Sequence, residues 1–249
     1  MSEKSLSKVP ELTFIFWVIK IAATTLGETG GDAVSMSMNL GYLIGTAIFA
    51  TIFLAAVIVQ IKSTHFRPII YWSTIIATTT VGTTLADFAD RSLGIGYAGG
   101  SSLLFALLMG SLATWYWSLG SVSVDTVSHP KTEIFYWVTI MFSQTLGTAL
   151  GDWIADTAGF GYGRGALVFS LLLVIVALLY FRTRISRTFL FWAAFILTRP
   201  LGAVVGDFLD KPISSGGLAL SRYTASAVLF LFILGCIFIF PHRASQKAH

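Results

Sequence analysis

The sequence predicts an all-α integral membrane protein, with eight transmembrane helices from four parallel two-helix repeats in a pseudo-symmetric bundle. Three observations predict it. Charged residues make up 11% of the 249 residues and apolar residues 55%, and the mean hydropathy is +0.79. A soluble domain carries about 25% charged residues. Several apolar stretches approach the ~20 residues that a helix needs to cross a ~30 Å hydrocarbon core. One short motif recurs along the chain. The composition excludes a soluble enzyme, a disordered chain and a nucleic-acid binder, despite a pI of 9.3. The one cysteine, Cys236, excludes an intrachain disulfide framework and a thiolate metal cluster.

The spans run over 12–34, 41–61, 68–89, 98–118, 133–155, 163–181, 188–209 and 220–240. Period-2 alternation is absent, so these are helices and not barrel strands. The first span carries Lys20, Glu28 and Asp32, which marks it as a retained helix and not a cleaved signal peptide. Lys4, Lys8, Lys62, Arg67, Lys131, Arg182, Arg184, Arg187, Arg243 and Lys247 fall on one side. Only Arg91, Arg164, Lys211 and Arg222 fall on the other. This bias predicts cytoplasmic N- and C-termini. Short loops leave no room for a soluble domain, so 1–249 is one membrane domain.

Four segments share one pattern: Leu26-Gly27-Glu28-Thr29-Gly30-Gly31-Asp32, Val81-Gly82-Thr83-Thr84-Leu85-Ala86-Asp87, Leu146-Gly147-Thr148-Ala149-Leu150-Gly151-Asp152 and Leu201-Gly202-Ala203-Val204-Val205-Gly206-Asp207. A tryptophan stands 15 residues before each aspartate, at Trp17, Trp72, Trp137 and Trp192. A tyrosine follows at Tyr42, Tyr97 and Tyr162, with Tyr223 as the fourth counterpart after an insertion around Pro212 to Gly217. The aspartates are 55, 65 and 55 residues apart, so the first two repeats recur as the last two. The repeats cover 8–62, 63–118, 128–183 and 184–241, and the linker 119–130 joins halves 1–118 and 131–249. Two spans per repeat give a parallel duplication. The motif helices are expected inside and the plainer helices toward lipid.

The small residues of the motif, four apart, let helix backbones approach closely. With the tryptophans as an interfacial belt, each aspartate sits about 22 Å away, near the extracytoplasmic end. Asp32, Asp87, Asp152 and Asp207 then form a ring of the kind that attracts cations. They also stand ready to pair with Arg91 and Lys211. Steps of four and seven below the ring read Glu28, Thr83, Thr148 and Ala203, then Thr25, Thr80, Thr145 and Pro200. Ile21, Ile76, Met141 and Ile196 follow one turn lower. This predicts a solvated vestibule closed by an apolar layer, the threonines being support that also bonds its own backbone. Arg199 needs an acidic partner, Glu28 or a ring aspartate. Pro200 is expected to kink or open its helix. Lys20 is expected to snorkel to the cytoplasm. With all four histidines (His65, His129, His242, His249) outside the spans, soft-metal and haem sites are disfavoured. Oxygen ligands suit Mn²⁺, Ca²⁺, Mg²⁺ or a monovalent ion, and Glu28 with Asp32 at i, i+4 suits a divalent cation or protons.

The fourfold pattern of Trp and Gly/Ala-Asp resembles the uncharacterised bacterial multi-pass membrane-anchored protein family, over nearly the whole chain. That resemblance implies a bacterial inner membrane location and no particular activity. Glu28-Thr29-Gly30-Gly31-Asp32 is more loosely similar to the Glu-x-Gly-Asp motif of the Ca²⁺/Mn²⁺–proton exchanger family, with one extra residue and without the basic residue that follows. It implies that Glu28 and Asp32 bind a divalent cation and exchange it for protons.

The expected function is therefore transport or export of a cation, a divalent metal exchanged for protons, with the lipid bilayer, the cation and protons as partners. The alternatives are a passive cation channel and a structural or lipid-binding bundle. An intramembrane aspartic protease fits poorly, because four equivalent aspartates replace a dyad and the Tyr-Asp and Gly-x-Gly-Asp motifs are missing.

Overall fold

A computed structural model describes residues 7–245. Lys4, Lys247 and His249 lie outside the described residues. Eight long helices carry the fold: α1 (Phe14–Asp32), α2 (Gly41–Lys62), α3 (Pro68–Asp87), α4 (Tyr97–Leu119), α5 (Pro130–Asp152), α6 (Gly161–Arg182), α7 (Arg187–Asp210) and α8 (Arg222–Ile239). Among the described residues the only bridge-type pairing is Pro10 with Ala244. Local chemistry sets the helix starts. Thr13, Ser186 and Ser221 accept N-terminal amide bonds of α1, α7 and α8, and Pro68 and Pro130 open α3 and α5, where no donor is needed.

The odd-numbered helices form an inner ring in the order α1, α3, α5, α7, closing on α1. Each even-numbered helix lies outside, against the inner helix of the following repeat: α2 on α3, α4 on α5, α6 on α7 and α8 on α1. The ring is thus stapled at every seam, including the one between chain ends. Six helices are long and apolar enough to cross a membrane, namely α2, α4, α6 and α8 with α3 and α7. The most apolar stretches of α3 and α7 are 72% and 67% buried, whereas those of α2, α4 and α6 are 11% buried and that of α8 is 22%. The division into inner motif helices and outer plain helices follows. α1 and α5 are more polar, and most of their polar side chains are buried against neighbouring helices.

The first three inner helices end in a π-helical turn directly after the aspartate, at Ala33–Ser37, Phe88–Ser92 and Trp153–Thr157. Each turn leads to left-handed residues just before the outer helix: Asn39 and Gly41, Gly94 and Gly96, Gly159 and Gly161. In the fourth repeat α7 continues to Asp210, and a 3-10 turn at Ile213–Ser215 occupies the insertion. α7 also runs unbroken through Pro200, so the proline does not open the helix.

At the far end of the bundle from the aspartates, the described N-terminal segment meets both the linker between halves and the described C-terminal segment. Ser7 Oγ donates to Val124 O at 2.7 Å, Lys8 N to Val127 O at 2.8 Å, and Ser245 N to Val9 O at 2.9 Å. Lys8 Nζ lies 2.5 Å from Glu133 Oε1 and 3.0 Å from Ile61 O, so it ties α5 to the C-terminal end of α2.

Candidate functional site

The face that lines the bundle axis recurs every four residues. Counting back from the aspartates, the first level holds Glu28, Thr83, Thr148 and Ala203, and the next holds Thr24, Thr79, Gln144 and Arg199. Then come Lys20, Ile75, Ile140 and Phe195, and last Phe16, Tyr71, Tyr136 and Phe191. Every one of these side chains is buried. The i±4 row of a helix is inclined to its own axis, so tilted helices keep this row on the centre of the bundle. The steps of seven and eleven read from the sequence follow a straight helix and miss it. Accordingly Ile21, Ile76, Met141 and Ile196 are only half-buried and form no closing layer. Thr25, Thr80 and Thr145 donate to their own helix, to Ile21 O (3.0 Å), Ile76 O (2.8 Å) and Met141 O (2.9 Å).

The motif glycines are cut-outs for these axial residues. A Cβ on Gly27 would overlap Thr79, one on Gly147 would overlap Arg199, and one on Gly202 would overlap Thr24. A Cβ on Gly82 would come within 3.0 Å of the Gln144 backbone. The second small residue serves the level above: Gly31 faces Thr83, Gly151 faces Ala203 and Gly206 faces Glu28. In each case the glycine receives the residue of the next repeat around the ring.

The tryptophans do not form a belt at a lipid interface. Trp72, Trp137 and Trp192 are buried, and all four take part in an internal aromatic ring. Phe16 meets Trp72 at 5.4 Å, Tyr71 meets Trp137 at 5.9 Å, Tyr136 meets Trp192 at 6.3 Å and Phe191 meets Trp17 at 6.1 Å between ring centroids. Inside this ring the Tyr71 and Tyr136 hydroxyls are hydrogen-bonded at 2.7 Å.

Arg199 has no solvent exposure. Its Nη2 donates to Glu28 Oε2 at 3.0 Å, to Thr83 Oγ1 at 2.6 Å and to Thr148 Oγ1. One arginine thus gathers the equivalent residues of the other three repeats, and Glu28 is its acidic partner. Thr83 also sits 3.3 Å from Glu28 Oε2.

The four aspartates are brought to one end of the inner ring, and all are buried. They share two bridging cations. Arg91 contacts Asp87 at 2.7 Å and Asp152 at 3.1 Å, and Lys211 contacts Asp207 at 3.0 Å and Asp32 at 2.6 Å. These cations are equivalent under the duplication of the halves. Arg222 lies 3.7 Å from Asp32 and 3.0 Å from Asp210. Carboxylate oxygens of Glu28, Asp32 and Asp87 lie within 4.8 Å of one another, as do those of Asp32, Asp207 and Asp210. Asp32 Oδ1 is buried without a hydrogen-bond partner among the described residues. The donor set is all oxygen, which suits a hard divalent cation or protons.

Lys20, expected to snorkel, is instead fully buried, with Nζ 4.1 Å from the Phe195 ring centroid and 3.5 Å from Gln144 Oε1. Thr24 and Gln144 were not singled out in the sequence, and with Lys20 they fall on the step-of-four row, which is the signal that would have found them.

No curated protein and no solved structure matches the chain, and the exchanger resemblance gains no support from these comparisons. The Repeat of Unknown Function (DUF347) matches four times, at residues 15–66, 70–121, 135–186 and 190–246. With these four matches over most of its length, the chain belongs to that repeat family.

Proposed function

We propose that the chain is an eight-span transporter of the bacterial inner membrane with cytoplasmic termini. It moves a cation, a divalent metal such as Mn²⁺ or Ca²⁺, in exchange for protons. The observation that carries this reading is the charge balance at the aspartate end. Four buried ring carboxylates share the bridging Arg91 and Lys211, with Arg222 3.7 Å from Asp32, and a fifth carboxylate, Glu28, held by Arg199, lies within 4.8 Å of Asp32 and Asp87. An uncompensated buried carboxylate is costly, so such a cluster attracts a mobile positive charge. Lys211 and Arg199 act as tethered cations that hold the carboxylates when no substrate is bound. Arriving substrate competes with them for Asp32 and Glu28.

The test is flux in proteoliposomes under an imposed pH gradient. Wild-type protein is expected to take up Mn²⁺ or Ca²⁺ with opposite proton movement, and Glu28→Gln and Asp32→Asn are expected to abolish both. Transport retained in both variants removes the site, and no flux in wild type removes the function. One observation favours a second reading, a bundle whose charges only hold it together: each ring aspartate has a basic partner. A passive channel is the weaker alternative, since side chains fill the axis at every level.

A further inference from the structure

The cation reading gives no role to Lys20. This side chain has no solvent exposure, and the other residues at its level are Ile75, Ile140 and Phe195. Its Nζ has one long hydrogen bond, 3.5 Å to Gln144 Oε1, and the face of Phe195 at 4.1 Å. The groups that face it can be named helix by helix. α7 presents Arg199, of like charge, one level toward the aspartates. α5 presents Gln144 and, one level below, Tyr136, while α3 presents Thr79 and Tyr71. On α1 itself the nearest acid is Glu28, two turns away and held by Arg199 at 3.0 Å. Among the described residues no carboxylate or histidine is paired with Lys20.

A permanent ammonium in that setting combines burial, like-charge repulsion and too few acceptors. A neutral amine escapes all three. Lysine is the cation able to make this change, which arginine is not. We propose that Lys20 is the proton-exchanging group of the bundle. It takes up a proton while Glu28 neutralises Arg199, and releases it when a divalent cation draws Glu28 away. In the first state Arg199 and Glu28 form a neutral pair as seen from Lys20. In the second the guanidinium is unscreened one helical turn away, about 6 Å along the helix, and opposes the ammonium. The exchange is a single proton transfer between the amine and bulk water, and Gln144 Oε1, 3.5 Å away, is the polar side-chain group next to the amine. The coupling to a cation rests on the proposed function; the proton exchange itself does not.

The test uses the full chain, ¹⁵N-labelled at lysine, in lipid nanodiscs. The Lys20 Nζ resonance is assigned by its loss in Lys20→Met, or in Lys20→Arg if the methionine variant does not fold. The expected result is a reversible amine–ammonium transition of that resonance as pH is varied. Ca²⁺, which is diamagnetic, should lower its midpoint by about one unit, a tenfold change in proton affinity. A resonance that stays in one form throughout overturns the proposal. A transition that Ca²⁺ leaves unmoved, with Ca²⁺ binding confirmed by calorimetry, overturns the coupling. Absence of Ca²⁺ binding with the transition intact upholds the proton exchange and removes the cation reading instead.

Discussion

Replacing Arg199 by methionine isolates the central pair. Methionine keeps much of the side-chain volume and removes the guanidinium. Glu28 is then left with 2% exposure and the Thr83 hydroxyl at 3.3 Å as its remaining side-chain partner. Breaking a buried ion pair from one side costs about 3–5 kcal/mol, because the orphaned charge stays desolvated. The reciprocal variant, Glu28→Gln, strands the guanidinium against two threonines and belongs in the same range. Combining the two substitutions removes both charges. The double variant is expected to regain much of the loss, with a coupling near the top of the ~0.5–3 kcal/mol range for residues in contact. The assay is reversible unfolding of purified protein in bicelles, with wild type, both singles and the double compared at one pH. An Arg199→Met variant within about 1 kcal/mol of wild type would refute the reasoning, since breaking a buried pair costs more than that. A double variant no better than the sum of the singles would refute it too.

Other expectations follow from the same geometry. Gly147→Ala drives a methyl group into Arg199 and within 3.0 Å of Pro200 Cδ, so it should destabilise by about 1–3 kcal/mol. Gly110→Ala on α4, where nothing lies within 4 Å, should shift stability by less than about 1 kcal/mol; equal thermal midpoints for the two variants would contradict the cut-out argument. Tyr71→Phe leaves the Tyr136 hydroxyl buried without its 2.7 Å partner and should cost about 1–3 kcal/mol, largely recovered in Tyr71→Phe/Tyr136→Phe. The same unfolding assay reads that cycle, and a double variant no more stable than the single counts against it. Lys211→Met removes the tethered competitor from Asp32 and Asp207. If that competition operates, calorimetry will show Ca²⁺ bound about tenfold more tightly, or 1.4 kcal/mol, and unchanged affinity rejects it.

The helices were legible because their signal is local. The stretch 41–61 lies in Gly41–Lys62 and 188–209 lies in Arg187–Asp210, since apolar length alone decides both. The glycine–aspartate motif was legible because it repeats. What the sequence concealed was rotation and tilt. A straight-helix count put Thr25 and Ile21 on the axis, whereas the step-of-four row puts Thr24 and Lys20 there. The error is one residue at each step, enough to replace a lysine by an isoleucine and a polar column by an apolar gate. Arg91 and Lys211 were visible as i, i+4 partners of Asp87 and Asp207. Their second contacts, to Asp152 and Asp32, lie on other helices and leave no local pattern. The tie between Ser7, Lys8 and the linker runs largely through backbone groups, which sequence does not mark.

The departures from symmetry say more about function than the symmetry does. Four copies of one two-helix unit suffice to close a ring, because each glycine receives the axial residue of the next copy and each outer helix covers the next seam. That logic is indifferent to which residue sits on the axis, provided it fits. At the tryptophan end the copies stay nearly alike and aromatic, and at the aspartate level all four are identical. Between those ends the copies diverge, and their charges are Glu28 and Lys20 on α1 and Arg199 on α7. All three fall on neighbouring helices at the seam between first and last repeat. A bundle selected for stability alone would fill these positions with residues like Ile75 and Ile140, since apolar replacement of a buried ion pair is often neutral or stabilising. Charge concentrated at one seam of an otherwise repetitive ring is the feature on which the proposed function rests. Variants at Lys20, Glu28 and Arg199 should therefore alter activity more than matched variants at Ile75, Thr83 and Gln144.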